Sequence, residues 1–447
     1  MLDVQRHPEL RGFHSVSGPA SFQDVAPIRR YFGTDGVRGV VGEFITPELV
    51  ECLGRAATLW SKGGRIFVGR DTRESGVELE EAFARGIASA GGHAVLAGVL
   101  PTPAVALLAL DLGVVITASH NPPEYNGVKF FDRGGYKLAD PIEEEIEALL
   151  DAPAAAAPGS IDRVEVATDS YIEHVLEFFG SDLSGLRMVV DCANGAYSGL
   201  APGAFERLGA EVTAIGNDPD GRNINVGCGA TDLALLQETV RSGGHDLGVA
   251  FDGDGDRMLA VDAEGNVVDG DQIVAILALA LEVEMVAVTS MTNLGFHQLM
   301  AQHGIRVVTT DVGDRYVIEA LRREGGLLGG EQSGHIIYLD RHVTGDGLTA
   351  ALLLCRCLAG RPLAEAAGVM RRFPQVLENV RVTRKTIPDT ILAEVERVNE
   401  ELADTGRVMV RPSGTEPLVR VLAEAQEKDV AEKACGTIAA LVRRELG

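Results

Sequence analysis

The chain contains 447 residues, of which 46% are hydrophobic and 23% are charged, and it carries a formal net charge of −25. A chain of this length is too long for a single hydrophobic core, so about three domains are expected. The acidic balance argues against nucleic acids and anionic membrane surfaces as partners. If the ligand is itself an anion, a local cluster of basic residues must overcome the overall field of the protein.

The cysteines and the apolar segments predict a cytoplasmic protein. The cysteines show neither a CxxC pair nor zinc-ligand spacing, and they stand at positions 52, 192, 228, 355, 357 and 435. We therefore expect free thiols, which favour a reducing compartment. Residues 1–30 carry charges and prolines without the apolar segment of an ordinary secretion signal. The apolar run at 273–281 is too short to span a bilayer.

The first part of the chain predicts an extension followed by alternating strands and helices. Residues 1–30 show no clear periodicity and are expected to form a flexible extension. A helical pattern at 47–60 then alternates with short apolar strands at 65–69 and 94–100. This alternation predicts an α/β domain with a mixed or parallel sheet covered by helices. The Ala- and Pro-rich segment at 152–160 is interpreted as a linker.

The remainder of the chain predicts two further α/β domains and a smaller C-terminal domain. The second and third series each contain three apolar strands, which lie at 187–195, 211–216, 247–257, 286–291, 305–311 and 327–335. After Pro374 a strand-like stretch at 380–383, a helix near 389–403, two further strands and a final helix predict an α+β domain. The expected boundaries are 1–30 for the extension and 31–182, 183–284, 285–374 and 375–447 for the four domains. The three α/β domains are candidates for structural repeats, although no strong sequence repeat is present.

The hexapeptide TASHNP at 117–122 places polar side chains directly after the apolar run LGVVI. Open α/β sheets keep their ligand sites outside the carboxyl ends of the strands, so Ser119 is a candidate nucleophile. The alternative is that Ser119 and Asn121 only cap a turn before Pro122 and Pro123. The hexapeptide alone leaves both interpretations open.

The stretch DGDGDR at 252–257 predicts a metal site. Alternate aspartates separated by glycine can place three carboxylates on one side of a loop, and a hard cation such as Mg²⁺ would neutralise them. An EF-hand requires glycine at loop position six and glutamate at position twelve, where this chain has Arg257 and Ala263. A solvated acidic turn is the other alternative, but it does not explain why an apolar strand leads into the loop.

The stretch RPSGTEP at 411–417, followed by Arg420, has the composition of a phosphate-binding loop. Two arginines supply fork-shaped donors, two hydroxyls supply further hydrogen bonds, and a glycine lets backbone N–H groups approach an anion closely. The alternative is an ordinary hairpin turn, since Pro-Ser-Gly is common turn composition.

Three further motifs are weaker when each is taken alone. GTDGVRG at 33–39 carries Arg38, which could equally be a surface residue of a connecting loop. GEQSGH at 330–335 places Glu331 and Ser333 where both can accept hydrogen bonds from sugar hydroxyls, and His335 can exchange protons, although a single histidine after a strand is usually structural. In NGVKFF at 126–131, Lys129 would by default extend to solvent from the surface.

The order of these motifs is more informative than any one of them. Each α/β domain contributes one polar loop, and the last domain contributes a phosphate-binding loop. If the loops converge on one cleft, they assemble a serine, a metal site, basic residues and hydroxyl acceptors. That set of groups suits phosphoryl transfer to and from a sugar, with Ser119 as the covalent carrier.

The same motifs identify a family resemblance. TASHNP, NGVKFF, DGDGDR, GEQSGH and RPSGTEPLVRV together resemble the α-D-phosphohexomutases, and the match covers residues 30–447. The resemblance implies four domains in a heart-shaped arrangement around a central cleft. RYFGTDGVRG, DVGDRYV and GGEQSGHIIYLDRHVTGDG are most similar to the branch of the family that acts on glucosamine phosphates, with Gln332 as one of its characteristic residues. Thr117 departs mildly from the family pattern, in which serine is commoner.

The resemblance also implies roles for individual residues. Ser119 would be the phosphoserine, and it would hold Mg²⁺ together with Asp252, Asp254 and Asp256. The transfer site would be lined by Arg38, His120, Lys129 and Arg257, with Lys129 and His335 as candidates for proton exchange. Glu331 and Ser333 would bind the sugar hydroxyls. The phosphate-binding loop would comprise Arg411, Ser413, Gly414, Thr415 and Arg420.

The reaction implied by the resemblance interconverts glucosamine 6-phosphate and glucosamine 1-phosphate, feeding UDP-N-acetylglucosamine synthesis for the cell wall. It would use one Mg²⁺ per active site, phosphorylated Ser119, and glucosamine 1,6-bisphosphate or glucose 1,6-bisphosphate as primer. The alternative within the family is a phosphomannomutase or phosphoglucomutase with the same mechanism. The expected partners are small-molecule sugar phosphates, and a homodimer is kept open because the sequence does not determine the oligomeric state.

Proteins of two other functional classes would use some of the same residues as a mutase. A phosphatase would use the same serine and metal but would admit water to the phosphoserine, so it would release free phosphate. A sugar-phosphate sensor without activity would keep the phosphate-binding loop and lose the carrier. The presence of Ser119, Lys129 and all three aspartates favours the mutase over the sensor.

Overall fold

The computed structural model describes residues 30–33, 35–155, 157–413 and 417–447. Apart from Arg30, the predicted N-terminal extension lies outside the described residues, as do Gly414 and Thr415 of the predicted phosphate-binding loop. All six cysteines are described and are free, as the sequence predicts. Among the described residues, no helix is both long enough and apolar enough to cross a membrane.

The first α/β unit contains a mixed sheet with the strand order β1-β5-β4-β2-β3-β6. Its strands are β1 (Val37–Val40), β2 (Arg65–Arg70), β3 (His93–Val99), β4 (Leu112–Ile116), β5 (Tyr125–Asp132) and β6 (Ser160–Arg163). Its helices are α1 (Pro47–Trp60), α2 (Gly76–Ser89), α3 (Thr102–Leu107) and α4 (Asp140–Glu147), and α5 (Ala167–Phe179) leads into the next unit. The helix α1 begins where the sequence predicts, because Thr46 caps it through a hydrogen bond from Leu49 N and Pro47 suits the first turn.

The second unit has the strand order β11-β10-β9-β7-β8. Its strands are β7 (Arg187–Asp191), β8 (Glu211–Ile215), β9 (Leu247–Phe251), β10 (Met258–Asp262) and β11 (Val267–Val268). Its helices are α6 (Ala201–Arg207) and α7 (Ala234–Gly243). The strands β8, β7 and β9 are parallel, whereas β10 and β11 run antiparallel to their neighbours.

The third unit has the strand order β13-β12-β14-β15. Its strands are β12 (Met285–Thr289), β13 (Arg306–Thr310), β14 (Leu328–Gly330) and β15 (Ile336–Tyr338). Its helices are α8 (Gly270–Ala280), α9 (Leu294–Gln302), α10 (Asp314–Glu324), α11 (Gly347–Leu358) and α12 (Leu363–Ala367). The helix α8 is started by a capping box in which Asp269 and Gln272 each bond the backbone of the other.

The C-terminal unit is a smaller antiparallel sheet with the strand order β16-β18-β17. Its strands are β16 (Gln375–Arg381), β17 (Gly406–Pro412) and β18 (Leu418–Ala425), and its helices are α13 (Asp389–Leu402) and α14 (Lys428–Leu446). A short 3₁₀ turn at Ala403–Thr405 follows α13. The predicted fold class, three α/β units and a C-terminal α+β unit, is confirmed. The boundaries proposed for the four domains stay predictions.

The three α/β units place their polar loops at the same topological position. In each unit a strand of the parallel part is followed by an antiparallel neighbour, giving the pairs β4 with β5, β9 with β10, and β14 with β15. The loops between these pairs contain TASHNP, DGDGDR and EQSGH respectively. Because the loops leave equivalent strand ends, packing the units against one another can bring them together.

Two details of the predicted elements differ from the structure. The segment at 152–160 does not separate two units, because its last residue, Ser160, begins β6, which pairs with β3 at the edge of the first sheet. The strand predicted at 380–383 begins earlier, at Gln375, since β16 is an edge strand whose polar residues weaken its apolar signal.

The hydrophobic core separates the C-terminal unit from the rest of the molecule. One buried cluster contains residues of the first three units, for example Val115, Phe251 and Val288. The C-terminal unit has its own cluster, which includes Val419 and Ile438. The first three units therefore share apolar packing, and the last unit packs mainly around itself.

Candidate active site

Ser119 lies at the end of a buried strand and points at an aspartate of the second unit. All residues of β4 are buried, and Ser119 follows it with only 1% of its surface exposed. Its φ angle is +54°, a left-handed conformation that is unusual for a residue with a side chain. Its Oγ donates a hydrogen bond of 2.6 Å to Asp252 Oδ2. The structure thus places the predicted carrier beside the predicted metal site.

The three aspartates of DGDGDR form one buried cluster. A carboxylate oxygen from each of Asp252, Asp254 and Asp256 lies within 4.8 Å of the others. The intervening glycines make this loop possible. A Cβ at Gly253 would lie 2.7 Å from the Ser119 carbonyl oxygen, and Gly255 has a φ of +79° with the Tyr197 ring against it.

The charges of this cluster fit a divalent cation. Burial, together with the charges of Asp254 and Asp256, raises the pKa of Asp252 well above its usual value. Asp254 Oδ1 is buried and has no hydrogen-bond partner among the described residues. Three hard oxygen ligands with an unpaired buried acceptor are the donor set that Mg²⁺ prefers. The residues present are therefore consistent with a metal-binding site, as the sequence predicts.

Lys129 is buried inside the same cluster and does not extend to solvent. It projects from β5, and its Nζ lies 2.8 Å from Asp254 Oδ2, 3.2 Å from Asp256 Oδ2 and 3.4 Å from Asp35 Oδ2. Burial alone would lower the pKa of Lys129, but these carboxylates raise it above its usual value, so the side chain carries a charge. The ammonium of Lys129 partly neutralises the aspartate cluster.

A cavity of about 260 Å³ opens beside the aspartate cluster, between the first three units. Its basic lining consists of Arg38, His120, Lys137, Arg257, Arg315 and His335, and its acidic lining includes Asp35, Asp256, Asp314 and Glu331. Basic side chains are therefore present at the cavity although the chain as a whole is acidic, but acidic side chains, including Asp140, stand among them. The lining is mixed in sign rather than uniformly positive.

The two histidines of the cavity differ in their environments. Burial and the neighbouring Arg257 and Arg38 lower the pKa of His120 to about 4, so it is neutral at physiological pH. Burial would also lower the pKa of His335, but Asp314 and Asp256 raise it overall. Nδ1 of His120 lies 3.5 Å from Ser119 Oγ, and Nδ1 of His335 lies 3.6 Å from Asp256 Oδ1. Both histidines are thus close to the aspartate and serine loops.

The loop from 331 to 335 contributes to the cavity unequally. Glu331 lines the cavity, and its Oε1 accepts a hydrogen bond of 3.1 Å from Gly313 N. Ser333 is exposed and is not among the described residues that line this cavity. Gln332 Nε2 donates to Gln375 Oε1 of the C-terminal unit at 2.8 Å. Gln332 therefore links two units, and Ser333 would reach a ligand only from the rim.

The two arginines of the predicted phosphate-binding loop lie side by side. Arg411 of β17 and Arg420 of β18 are directly paired across the strands, and burial and Arg420 lower the pKa of Arg411. Both line a second cavity, of about 620 Å³, between the third and C-terminal units. Ser413 is buried at the end of β17. Two adjacent guanidinium groups repel each other, which favours an anion between them.

The two cavities meet at one segment of the third unit. Val312 and Tyr316 line both of them, and Asp314 of the same segment lies between Lys137 and His335. Lys137 Nζ is 2.7 Å from Asp314 Oδ2 and 2.6 Å from Asp35 Oδ1, so it ties the first unit to the third. The stretch GDRYV thus separates the serine side of the cleft from the arginine pair.

Several residues at the site were not singled out from the sequence. Thr102 Oγ1 donates to Asp254 Oδ2 at 2.6 Å, and Lys137 bridges two units as described above. Asp71 and Arg73 follow strand β2 and contact the serine loop, and Asn225 reaches the same loop from the second unit. The signal for Asp71 and Arg73 was the same as for Ser119, namely polar residues directly after a buried strand. Asn225 lies in an irregular loop that offers no such signal.

Four family profiles match the chain in order. They describe phosphoglucomutase/phosphomannomutase alpha/beta/alpha domain I at 29–156, domain II at 169–265, domain III at 269–373 and the C-terminal domain at 377–441. Together they account for most of the sequence, including every motif discussed above.

Similar proteins agree with these profiles. Phosphoglucosamine mutase from Moorella thermoacetica is 49% identical, over 90% of this chain and 97% of that protein. Phosphoglucosamine mutase from Pelotomaculum thermopropionicum is 50% identical, over 92% and 98%. A phosphoglucomutase/phosphomannomutase family protein from Burkholderia thailandensis has a crystal structure that aligns with a TM-score of 0.79 at 25% identity, over 92% and 96% of the two chains. By sequence and by fold, the chain belongs to the phosphoglucomutase/phosphomannomutase family.

Proposed function

We propose that this protein interconverts glucosamine 6-phosphate and glucosamine 1-phosphate, as a phosphoglucosamine mutase that feeds UDP-N-acetylglucosamine synthesis. One structural observation carries the proposal: Ser119 Oγ lies 2.6 Å from Asp252 within a buried cluster of three aspartates. The choice of sugar is supported by curated relatives named phosphoglucosamine mutase, which are 46% to 50% identical to this chain. The N-acetylphosphoglucosamine mutase from Aspergillus fumigatus has the same fold, and its crystal structure was determined in complex with GlcNAc-6P and magnesium.

The proposed reaction passes the phosphoryl group between Ser119 and the sugar. Phosphorylated Ser119 gives its phosphoryl group to O1 of glucosamine 6-phosphate, so that the bond to Oγ breaks and a bond to O1 forms. The proton of the sugar hydroxyl leaves as that bond forms, and the Ser119 oxygen is protonated. The resulting 1,6-bisphosphate reorients and returns its 6-phosphoryl group to Ser119. A 1,6-bisphosphate of glucosamine or glucose would load the serine initially.

The residues near Ser119 have distinct tasks in this scheme. Asp252, Asp254 and Asp256 would hold one Mg²⁺ together with the serine phosphate, and the ion would neutralise charge on the phosphoryl group during transfer. Arg38, His120 and Arg257 line the cavity at this end and would stabilise the phosphoryl oxygens. Lys129 and His335 are the candidates for proton exchange. The neighbouring carboxylates raise the pKa of Lys129, so its ammonium is protonated and cannot accept a proton in this state.

The arginine pair would hold the phosphate that is not being transferred. Arg411 Nε is buried without a hydrogen-bond partner among the described residues, so it has a donor available for an anion. Ser413, Gly414 and Thr415 would supply the remaining donors of this loop. Because each phosphate of the bisphosphate takes both positions in turn, the same loop must accept either end of the sugar. A C-terminal unit with its own core is suited to such an adjustment.

Sugar recognition would involve Glu331, with Ser333 at the rim, and the segment between the two cavities. The hydroxyls that Glu331 can accept from are common to glucose, mannose and glucosamine, so Glu331 does not select the 2-amino group. Gln332 bonds Gln375, which makes it a link to the C-terminal unit in this structure. The preference for glucosamine therefore rests on the GDRYV segment and on the similarity to phosphoglucosamine mutases.

The compartment is also part of the proposal. Six free cysteines, several of them buried, are compatible with the reducing conditions of the cytoplasm.

The test compares kcat/KM for glucosamine 6-phosphate with the values for glucose and mannose phosphates. A site that only tolerates a different 2-substituent discriminates by about 10–200-fold, and one that pairs with it discriminates more strongly. We expect glucosamine 6-phosphate to give the highest value, with slower but measurable turnover of the other two. A higher value for mannose 1-phosphate would identify a phosphomannomutase. Stoichiometric release of free phosphate would instead identify a phosphatase.

A further inference from the structure

The carbonyl oxygen of Ser119 is held from two directions. Arg73 Nη2 of the first unit donates to it at 2.9 Å, and Asn225 Nδ2 of the second unit donates to it at 2.9 Å. The same two side chains also donate to the carbonyl of Asn121, at 2.8 Å and 3.3 Å. The backbone of the serine loop is therefore fixed between two units by side-chain donors.

The guanidinium group of Arg73 is buried and uses all of its N–H donors in hydrogen bonds. Arg73 is 1% exposed, and its remaining N–H groups donate to Pro122 O, to Tyr125 O at 2.9 Å, and to Asp71 Oδ2 at 2.9 Å. A guanidinium has five N–H donors, and all five are used here. Four of the five bonds go to carbonyls of the segment from 119 to 125. A charged side chain that makes four of its five hydrogen bonds to one segment restricts the conformation of that segment.

Asp71 completes the contact on the other side of Ser119. Thr117 Oγ1 donates to Asp71 Oδ2 at 2.6 Å and accepts from Ser119 N at 2.9 Å. Both backbone polar groups of Ser119 are thus bonded to a network that leads back to Arg73 and Asp71. This network sustains the left-handed φ of Ser119, which is otherwise unfavourable for serine.

Asn225 connects this loop to the aspartate loop. A Cβ at Gly253 would lie 2.7 Å from Asn225 Nδ2 and 2.7 Å from the Ser119 carbonyl oxygen, so the three groups are in close contact. Asn225 has a φ of +59°, which asparagine adopts more readily than most residues. Asn225 therefore lies between the serine loop and the aspartate loop.

We propose that Arg73 and Asn225 are positioning residues that hold the Ser119 carbonyl from two units and thereby aim Ser119 Oγ at the aspartate cluster. The inference rests on the proposed function, in which phosphorylated Ser119 is the donor in one half of the cycle and free Ser119 the acceptor in the other. Neither residue touches the sugar or the transferred group in this scheme. They contribute by fixing the position of Ser119 Oγ, because a displacement of a reacting group by about 1 Å can lower the rate by about 100-fold.

The decisive variant is Asn225→Asp, which keeps the size and backbone preference of the side chain but places an oxygen against the Ser119 carbonyl. We expect kcat to fall by roughly 10–100-fold while KM for glucosamine 6-phosphate stays within about twofold, because the substrate contacts are untouched. Asn225→Gly, which also tolerates a positive φ, should give a smaller fall of the same kind.

The second variant, Arg73→Lys, tests whether a positive charge at position 73 is enough to hold the serine loop. Lysine can pair with Asp71 but cannot reach four carbonyls with a planar fork, so kcat should fall as in Asn225→Asp. Because Arg73 is buried, the thermal midpoint of Arg73→Lys is measured to detect a loss of folding. If Arg73→Lys does not fold, the result for Asn225→Asp still tests the proposal. The matched control is Arg222→Ala, which removes an exposed ion pair between the same two units, with Glu74, and should leave kcat unchanged.

A half-reaction separates this inference from the proposed function. Protein is incubated with glucose 1,6-bisphosphate and Mg²⁺, and the rate at which one phosphoryl group appears on Ser119 is followed by intact mass. If the wild-type protein neither loads nor interconverts the sugars, the proposed function fails and the inference fails with it. If the wild type does both and Asn225→Asp equals it in loading rate and kcat, only the positioning role is overturned. An equal loss in Arg222→Ala would also overturn it.

Discussion

The loop that carries Ser119 follows a buried strand, whereas Arg411 and Arg420 lie within the two paired strands of a hairpin, and the two regions are held in different ways. Ser119 is buried in a loop that lies between two units, and both of its backbone polar groups are bonded to side chains. The arginine hairpin lies at the edge of a larger cavity, in a unit with a separate core. A fixed loop suits bond making and breaking, whereas a hairpin on a separate unit suits holding a phosphate that changes ends.

The connection of the C-terminal unit to the third unit supports the same contrast. It includes polar contacts at buried or half-buried side chains. Glu424 accepts a hydrogen bond from Leu294 N at 3.0 Å. Gln332 Nε2 donates to Gln375 Oε1 at 2.8 Å, and Arg407 Nη2 donates to Thr292 O. Polar contacts can be exchanged for others during a rotation more easily than an interlocked apolar core can be repacked. The side-chain hydrogen bonds that hold the backbone are thus concentrated at Ser119, where the chemistry is proposed to occur.

The largest expected effect concerns the serine loop. Ser119→Ala should lower kcat by roughly 1,000-fold or more, because the carrier is lost. Thr117 is the nearest hydroxyl in sequence, but it is committed to Asp71 and to Ser119 N and does not replace the serine. Kinetics with glucosamine 6-phosphate and the thermal midpoint are measured together, and the midpoint should hardly change.

The matched control for that variant is Ser198→Ala. Ser198 Oγ is buried without a hydrogen-bond partner among the described residues, so its removal should affect neither activity nor stability. Retention of even a tenth of wild-type turnover in Ser119→Ala would contradict the covalent-carrier role.

A second, smaller effect concerns the aspartate cluster. Asp254→Asn removes one of three charges and weakens the contact with Lys129, so kcat should fall by about 100-fold and the Mg²⁺ concentration needed for half activity should rise. Activity is measured against free Mg²⁺ after dialysis with a chelator, which should abolish turnover in the wild type. Glu264→Gln, an exposed acid of the same unit, should behave as the wild type. Full activity of the wild type in excess chelator would exclude a catalytic metal at this cluster.

The smallest expected effect concerns the hairpin that carries Arg411 and Arg420. Arg420→Ala removes one charge-assisted contact, which should cost about 1.5–3 kcal/mol of binding and raise KM by about 10–150-fold with a smaller fall in kcat. Initial rates over a wide range of glucosamine 6-phosphate concentrations separate the two constants. The control, Arg397→Ala, removes an exposed arginine that pairs within one helix of the same unit. An unchanged KM for Arg420→Ala would mean that the hairpin is structural.

Much of the candidate site was predictable because its residues follow apolar strands. Ser119, Lys129, His335 and the three aspartates all lie in or beside loops that begin at a buried strand, and the structure brings them together. Ser333 is the exception, since it stays exposed at the rim. The alternation of apolar strands and helical patterns likewise predicted the fold class, because that periodicity reflects which face of each element is buried.

The contacts that could not be predicted are long-range. Arg73 follows a buried strand, as Ser119 does, but its sequence does not show that four carbonyls of a distant segment converge on its side chain. Asn225 lies more than one hundred residues from Ser119 in the chain. Gln332 was associated with sugar choice, but its side chain bonds Gln375 of the C-terminal unit. No local pattern records which carbonyl a side chain will meet.

The sequence by itself determined the order of strands and helices, the loops that carry reactive groups, and the chemical type of each group. Those properties depend on local periodicity and on the composition of short motifs. The tertiary structure alone decided that Ser119 faces Asp252, that Lys129 is buried among carboxylates, and that Arg73 and Asn225 hold one carbonyl. These arrangements arise when units of separate sequence pack together and every buried polar group must find a partner, which is a property of the whole fold.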